Sequence, residues 1–201
     1  ALYDALVQRL PAALAGVFDS TIIGATQAPS QSNFDTFAGC TAQSILNANN
    51  GTYLGLVAAD ADIASHGGVM NGLALGAQAR ALLLTATDTT NRPLFLASAN
   101  DGVVDKVLGV PTYFNKNLYK AGTAAVGQTA GTPAIVGVAG DWTQALYGTV
   151  EGVKLAISDQ ATLVDGETTI NLWQQNMFAV RAEIEVAFAV RNVNEFVRLT
   201  A

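Results

Sequence analysis

The sequence predicts an α+β fold in which a long helix packs on a sheet, with a compact α/β segment inserted between them. Near the N-terminus, apolar residues recur at every fourth position from Leu2 to Ile22, which is helical spacing. Near the C-terminus, they recur at every second position from Phe178 to Val190, which is typical of a half-buried strand. Between these segments, short apolar runs alternate with glycine, proline and asparagine, as in short elements joined by turns.

The composition argues against several classes of function. The chain has 201 residues, half of them hydrophobic, which suits one large domain or two modest ones. Its net charge of −6 disfavours a protein that coats duplex DNA, because phosphate binding depends on clustered Lys and Arg. Charged residues make up only 13% of the chain, which leaves broad, weakly charged surfaces of the kind that often meet other subunits.

The single cysteine and the lack of a recognisable signal peptide indicate where in the cell the protein is expected. The lone Cys40 has no partner for an intramolecular disulfide and favours a reducing, cytosolic setting. No apolar run approaches the roughly 20 residues needed to span a bilayer, and no signal peptide is recognisable, so we expect neither a membrane protein nor an exported one. The chain starts at Ala1 without a methionine, inside a predicted helix, so we expect further residues ahead of it.

The N-terminal quarter is predicted to be a helix followed by a loop. The apolar stripe of the helix comprises Leu2, Leu6, Leu10, Leu14, Phe18 and Ile22. We expect Pro11 to kink or restart this helix, because proline is well accepted in a first helical turn, and Gly24 to end it. Residues 25–51 show no sustained period and are predicted to be a long loop with at most one short helical piece.

The middle of the chain is predicted to alternate helices and strands. The expected elements are, in order, a helix over 52–65 ended by Gly67 and Gly68, a strand over 69–75, a helix over about 77–87, and a polar turn over 88–93. Leu82, Leu83 and Leu84 are expected to face a core. Between 94 and 139, the runs LFLA, VLGVPTYF and AIVGVA are predicted strands.

The C-terminal segment gives the clearest prediction. Its alternating apolar positions are Phe178, Val180, Ala182, Ile184, Val186, Phe188 and Val190. At about 3.3 Å per residue, such a strand extends over roughly 43 Å, well beyond the usual length. Residues 150–157 alternate less regularly, with Gly148 and Gly152 near their start.

Few residues suggest chemistry. His66 and Asp62 are one helical turn apart and would supply two metal ligands or an acid/base pair. The alternative is an ordinary helix end, at which His66 is a cation close to the negative C-terminal end of the helix dipole. One His and one Cys exclude zinc motifs, and a nucleophilic pairing of Cys40 with His66 has no supporting motif, such as a G-x-S-x-G elbow. Glycine-rich phosphate-binding loops are absent from the sequence. We therefore expect no catalytic residue, cofactor or metal.

Charged residues on the long strand are the candidates for subunit contacts. Arg181, Glu183 and Glu185 share one face, where they are placed to pair across strands or subunits; the alternative is the solvated face of a half-buried sheet. Asp159 and Asp165 are interpreted as turn residues.

The C-terminal third of the sequence resembles tailed-phage major capsid proteins of the Hong Kong 97 type. The matching residues are Gly140-Asp141-Trp142, Tyr147-Gly148, Glu151-Gly152-Val153 and Ser158-Asp159, followed by NLWQQNMFAVRAEIEVAFAVRNVNEFVRL, in which Asn176-Met177, Val180 to Glu183, Ala187 to Val190, Asn194 and Phe196-Val197 are the most specific.

The middle of the chain matches the same family in order. The matching residues are Asn71-Gly72, the helix to Leu84, Asp88, Asn91-Arg92-Pro93-Leu94-Phe95 and Leu108-Gly109-Val110-Pro111. Asn91 stands where glycine is usual, a departure that asparagine absorbs in the left-handed conformation.

The resemblance implies an architecture. It makes residues 1–51 the spine helix and a peripheral-domain segment, residues 52–140 the axial domain, and residues 141–201 the return hairpin and long strand of the peripheral domain. Gly140, Asp141, Trp142, Gly148 and Gly152 become junction residues, with the glycines serving turns. Family members also carry an N-terminal arm and an extended loop ahead of the spine helix, and the chain is expected to correspond to the part from that helix onward.

The resemblance also implies a function. It predicts a non-enzymatic subunit that forms hexamers and pentamers of an icosahedral shell around double-stranded DNA. The shell would belong to the virion of a phage or prophage and would be assembled in the host cytoplasm. Scaffold, portal and maturation protease would be further partners, and the subunit would contact DNA only indirectly. Asn171 and Asn176 remain remote candidates for cross-linking. The alternatives are an encapsulin-like compartment with a cargo enzyme and, more remotely, a small-molecule-binding or hydrolytic domain.

Overall fold

The structure is a computed structural model that describes residues 2–28, 34–46, 51–95, 104–126, 129–166 and 168–201. The chain forms two compact units. Unit 1 comprises Ala1–Ala15 and Gly148–Ala187, and unit 2 comprises Gly16–Tyr147 and Phe188–Ala201. The assignment of peripheral and axial domains with boundaries at 51 and 140 stays a prediction.

Three helices and ten strands make up the regular structure of the described residues. In chain order they are α1 (Leu2–Ile22), β1 (Thr41–Ser44), α2 (Gly51–Ser65), β2 (Gly72–Leu75), α3 (Ala77–Thr85), β3 (Lys106–Val107), β4 (Val110–Phe114), β5 (Ile135–Gly140), β6 (Ala145–Ser158), β7 (Thr162–Asp165), β8 (Thr168–Asn171), β9 (Ala179–Val190) and β10 (Phe196–Thr200). Short 3₁₀ turns occur at Phe37–Gly39, Trp142–Gln144 and Val193–Glu195. This mixture of helix and sheet is the α+β fold that the sequence predicts.

Unit 2 is built on a six-stranded sheet with the strand order β1-β10-β5-β2-β4-β3. The pairs β1–β10 and β2–β4 are parallel, and the other pairs are antiparallel. The register places Gly140 of β5 opposite Gly72 of β2 on one side and Phe196 of β10 on the other. Every residue of β5 is buried, so β5 is a central strand of the sheet.

Two hydrophobic clusters cover the two faces of this sheet. The first contains Leu56 and Ile63 of α2 and Leu83 of α3 together with strand residues. The second contains the end of α1 and a group of aromatic rings that includes Phe37 and Phe196. The rings of these two residues lie 4.8 Å apart, centroid to centroid, within the range at which aromatic pairs attract.

The first helix rules out one of the two outcomes predicted at Pro11, a restart, and leaves the kink a prediction. Helix α1 runs from Leu2 to Ile22 with Pro11 inside it, so the proline does not restart the helix. A proline removes one backbone hydrogen bond, and the turns on either side retain theirs. Gly24 ends the helix as predicted: it adopts a φ of 74°, and the Nζ of Lys120 donates a hydrogen bond to its carbonyl oxygen at 2.8 Å.

Helices α2 and α3 confirm their predictions. Gly67, with a φ of 89°, follows the end of α2. Leu83 of α3 is buried, and Leu82 and Leu84 pack against the same cluster. In the polar turn that follows, Asn91 adopts a φ of 61°, as expected for an asparagine at a glycine position.

Several strand predictions were wrong or incomplete. The strand predicted over 69–75 covers only Gly72–Leu75, and β7 and β8 were not predicted, so that Asp165, interpreted as a turn residue, is the last residue of β7. Strand β1 lies in the predicted loop 25–51, and β10 was not predicted at all. Strand β1 is mostly exposed and β10 almost wholly buried, so neither shows an alternating pattern, and their pairing joins residues far apart in the sequence. Leu94 and Phe95 do not form a strand, while Leu96 and Ala97 of the same run lie outside the described residues.

The C-terminal third contains two small sheets. Strands β6 and β9 form one, and β7 and β8 form an antiparallel hairpin. Along β9, the even-numbered positions are less exposed than the odd-numbered ones, which confirms the predicted alternation. Gly148 and Gly152 lie inside β6 and not in turns. That part of the prediction was wrong because glycine also occurs inside strands, so its position in a sequence does not by itself mark a turn.

Candidate subunit interface and strand junction

A cluster of polar contacts joins the start of β2 to the end of β5. The Oδ1 of Asp141 accepts hydrogen bonds from the Nδ2 of Asn71 at 2.7 Å and from the backbone and hydroxyl of Thr143 at 3.0 and 2.6 Å. The Oδ1 of Asn71 accepts the backbone N–H of Trp142 at 2.9 Å. We call this cluster of Asn71, Asp141, Trp142 and Thr143 the strand junction.

The indole of Trp142 connects the strand junction to strand β2 by a hydrogen bond. Its Nε1 donates to the carbonyl oxygen of Gly72 at 2.9 Å. A Cβ at Gly72 would lie only 2.6 Å from the Cδ1 of Trp142, so the ring lies against the glycine backbone. The Trp142 ring also meets Phe37 and Phe196 edge to face, with centroids 5.7 and 5.6 Å away.

Gly140 is needed for the same close packing. A Cβ there would lie 2.8 Å from the carbonyl oxygen of Glu195 and even closer to the Phe196 ring. The carbonyl oxygen of Gly140 accepts the backbone N–H of Asn71 at 3.2 Å. Gly140, Asp141 and Trp142, which the sequence suggested as junction residues, lie together here, whereas Asn71 was not predicted as their partner. Their assignment as a junction between domains of a capsid subunit stays a prediction.

The junction favours an ionised Asp141. The hydroxyl of Thr143 contributes most to holding the pKa of the Asp141 carboxyl below its ordinary value of 3.8. The backbone N–H groups of Thr143 and Val69 and the amide of Asn71 act in the same direction, whereas partial burial opposes them.

The charged residues of β9 lie on its exposed face. The Nη2 of Arg181 lies 3.2 Å from the Oε1 of Glu183, two positions along the same strand. The side chains of this pair are 72% and 48% exposed, so the pairing with each other contributes little to stability. Glu185 is exposed on the same face. Contacts of these three residues with a second subunit stay a prediction.

Unit 1 exposes nine large apolar side chains among its described residues. They are Val150, Val153, Leu155, Ile157, Leu163, Val164, Trp173, Met177 and Phe178. Trp173 is 70% exposed and Val150 75% exposed. Exposed apolar surface of this kind often marks interaction sites in soluble proteins. These side chains are candidates for subunit contacts that sequence reasoning missed, because an apolar residue in a sequence does not show whether its surroundings cover it.

The remaining candidates have ordinary structural roles. Nδ1 of His66 contacts the backbone oxygen of Asp62 at 2.9 Å and not its carboxylate. Cys40 is buried, and this burial raises the pKa of its thiol to about 12. Asn171 accepts a hydrogen bond from the backbone of Gln174, and Asn176 adopts a φ of 52°. Within the described ranges, no three His, Cys, Asp or Glu side chains form a group able to hold a metal, and none of the helices is long and apolar enough to cross a membrane.

The fold is that of phage capsid chains. A structure from Gordonia phage Cozz superposes with a TM-score of 0.72 at 18% identity over 99% of this chain, and one from Mycobacterium phage Ogopogo with 0.72 at 19% identity over 96%. A chain described as the capsid of an empty GTA particle, computed with C5 symmetry, matches with a TM-score of 0.59 at 12% identity over 99% of this chain. These matches agree with the Hong Kong 97 type fold that the sequence predicts.

The phage capsid family model matches residues 15–201, and the chain belongs to that family. It is 30% identical over 128 residues to a relative named "Probable major capsid protein gp17" from Mycobacterium phage D29, and 32% identical over 128 residues to the protein of the same name from Mycobacterium phage L5. These alignments cover 59% of this chain but only 36% of each relative, and the chain spans 63% of the Cozz chain, 67% of the Ogopogo chain and 64% of the GTA chain.

Proposed function

We propose that this chain is part of the major capsid protein of a tailed phage or prophage, and that copies of it associate into hexamers and pentamers of an icosahedral shell that encloses double-stranded DNA. Family membership and the capsid fold support this function. The C5 symmetry of the GTA capsid belongs to that particle and motivates the pentamer for this chain.

One observation in the structure carries the proposal: the exposed apolar surface of unit 1. Strand β6 has 14 residues, and all of them after Ala145 are exposed. Its sheet contains only β9 besides itself among the described residues, and a two-stranded sheet alone is marginally stable in water. Burying Val150, Ile157 and their neighbours against other subunits would remove this exposure. Repeated subunit contacts of this kind close into a shell by symmetry.

The chain's part in the shell is structural, and no bond is made or broken by it. The virion shell is its proposed location, after assembly in the host cytoplasm. Scaffold, portal and maturation protease are proposed as further partners by resemblance alone, and contact with packaged DNA is indirect because the chain carries a net charge of −6.

The alternatives are less well supported. The family and the named relatives favour a phage shell over an encapsulin-like compartment. For a ligand-binding or hydrolytic domain, the best candidate is an open cleft of about 380 Å³ in unit 2, lined by Asp19, Ile22, Ala74, Tyr113, Asn115, Leu118 and Trp142. Two of its polar residues bind each other, with the Nδ2 of Asn115 2.7 Å from the Oδ2 of Asp19, so these groups are not free to converge on a substrate.

Electron microscopy of the purified complete product of this gene, beside light scattering, tests the proposal. We expect closed shells that contain nucleic acid after expression within the phage genome. Shells that contain a cargo protein instead would favour the encapsulin alternative. A product that stays monomeric at all concentrations would contradict a capsid function.

A further inference from the structure

An exposed hairpin arm leads into the central strand β5. It consists of residues 120–126 and 129–135, which run antiparallel with Lys120 opposite Ile135, Thr123 opposite Thr132 and Val126 opposite Thr129. Each of these pairs is hydrogen bonded through backbone groups at 2.9 to 3.1 Å. At the base, Ala134 and Ala201 exchange two further backbone hydrogen bonds. The arm is therefore anchored in the six-stranded sheet.

The two segments of the arm are held close together. A Cβ at Gly122 would lie 2.5 Å from the carbonyl oxygen of Thr132, and a Cβ at Gly131 would lie 2.9 Å from the backbone nitrogen of Ala125. The hydroxyl groups of Thr123 and Thr132 hydrogen bond to each other at 2.9 Å. These contacts order the arm before it meets any partner, which lowers the entropy lost on association.

The described residues of the arm beyond its base are exposed to solvent along its outer edges. All described residues of 121–133 are exposed. Within the described part of the chain, the backbone N–H groups of Ala124 and Ala130 have no hydrogen-bond partner. Monomeric proteins protect such edges with charged side chains, bulges or covering segments. The described residues between Ala121 and Thr132 carry no charge, so this edge lacks the charged protection usual in a monomer.

The charge distribution favours a second copy of this chain as the partner. Two copies that each carry a net charge of −6 repel one another wherever acidic surfaces meet. The sequence from Ala121 to Gly140 contains no Asp, Glu, Lys or Arg, so two arms approach without this repulsion. Val126, which is 77% exposed, and the alanine side chains allow close backbone approach and supply apolar area.

We propose that the hairpin arm is a contact between copies of this chain, in which the outer edge of one arm lies along the arm of a neighbour. The proposal rests on the proposed shell function and names a surface in unit 2 that forms the contact. Direct backbone pairing at an exposed edge is an established mode of recognition between chains. It requires no side-chain chemistry beyond small, uncharged residues.

Disulfide trapping in the complete gene product tests this contact. Ala124→Cys places a thiol on the arm edge, and Ala64→Cys places one on the exposed side of α2 as a control. The native Cys40 stays inert because it is buried and the pKa of its thiol is raised to about 12. We expect mild oxidation of assembled particles to link copies of the Ala124→Cys variant and not of the control. Assembled particles without this link, or equal linkage of the control, would overturn the proposal.

Charge variants distinguish arm-to-arm pairing from contact with another surface. Ala124→Asp and Ala124→Lys each place like charges on neighbouring arms, and we expect each to reduce the assembled fraction about tenfold. An equal mixture of the two should assemble better than either alone, because opposite charges then meet. Circular dichroism checks that each variant folds. Variants that assemble like the wild type, or a mixture no better than its components, would overturn the arm pairing. A wild type that never assembles would instead contradict the proposed function.

Discussion

Asn71 and Asp141 are 70 residues apart in the sequence, yet the Nδ2 of Asn71 lies 2.7 Å from the Oδ1 of Asp141. The antiparallel register of β2 and β5, with Gly72 opposite Gly140, brings the two side chains to the same end of these paired strands. The same asparagine accepts the backbone N–H of Trp142. One side chain thus holds two consecutive residues where the chain leaves β5.

We expect Asn71→Ala to destabilise unit 2 by about 1–3 kcal/mol, since it removes one hydrogen bond to a carboxylate and one from a backbone amide. Urea unfolding followed by circular dichroism measures the change. Asn91→Ala is not a matched control, because Asn91 has a positive φ. The exposed Gln160→Ala is suitable and should change the free energy of unfolding by less than about 0.5 kcal/mol. Equal effects of the two variants would contradict the role of the junction.

The lowered pKa of Asp141 predicts a loss of stability in acid. The folded state binds its proton less readily than the unfolded state, so this contribution is present above the ordinary value of 3.8 and is lost as the pH falls through the folded pKa. We expect Asp141→Asn to reduce the decline of the unfolding free energy below about pH 4. Urea titrations between pH 2 and pH 6 measure this slope. A slope identical to that of the wild type would show that Asp141 does not contribute.

Gly140→Ala should destabilise unit 2 by about 1–3 kcal/mol, because the added methyl group meets the Phe196 ring and the Glu195 carbonyl oxygen. Gly152→Ala is the matched control within β6, where a Cβ meets nothing within 4 Å. The control should be neutral or should stabilise the chain by up to about 1 kcal/mol, because alanine lowers the conformational entropy of the unfolded chain relative to glycine. Thermal unfolding of the two variants measures both effects. A neutral Gly140→Ala variant would contradict the close packing of β5 against β10.

Leu108→Asn should stabilise the chain by about 1 kcal/mol, because a left-handed conformation is unfavourable for leucine and tolerated by asparagine. Leu108 and Gly109 form the two-residue turn between β3 and β4, with φ angles of 52° and 81°. Leu94→Asn, at an exposed leucine without a positive φ, is the control and should give no such gain. Chemical unfolding that shows no difference between the two would contradict the strain at Leu108.

Glu183→Lys should impair assembly while leaving the subunit folded, if the charged face of β9 meets a neighbouring subunit. The substitution removes the contact with Arg181 and reverses an exposed charge. Asp60→Lys makes the same kind of charge reversal at an exposed position of α2 and is the matched control. Light scattering measures assembly, and circular dichroism measures folding. Normal assembly of the Glu183→Lys variant would exclude this face as an essential contact.

Much of the fold follows from local patterns. The four-residue spacing from Leu2 predicts α1, and the two-residue spacing from Phe178 predicts β9, because each spacing reflects the repeat of its own backbone. The polar junction does not follow in this way. The pairing of Asn71 with Asp141 depends on the register between two strands, and no local pattern encodes it.

By itself, the sequence determined the periodic elements, the glycine positions that end helices, the acidic and weakly charged character, and the resemblance to the capsid family that the family match confirms. The tertiary structure decided which segments meet: β1 with β10, Asn71 with Asp141, and the two sides of the hairpin arm. It also decided which apolar residues stay exposed, such as Val150 and Trp173. Local periodicity depends on the repeat of a single element, whereas pairing and exposure depend on contacts between segments that the chain brings together only when it folds.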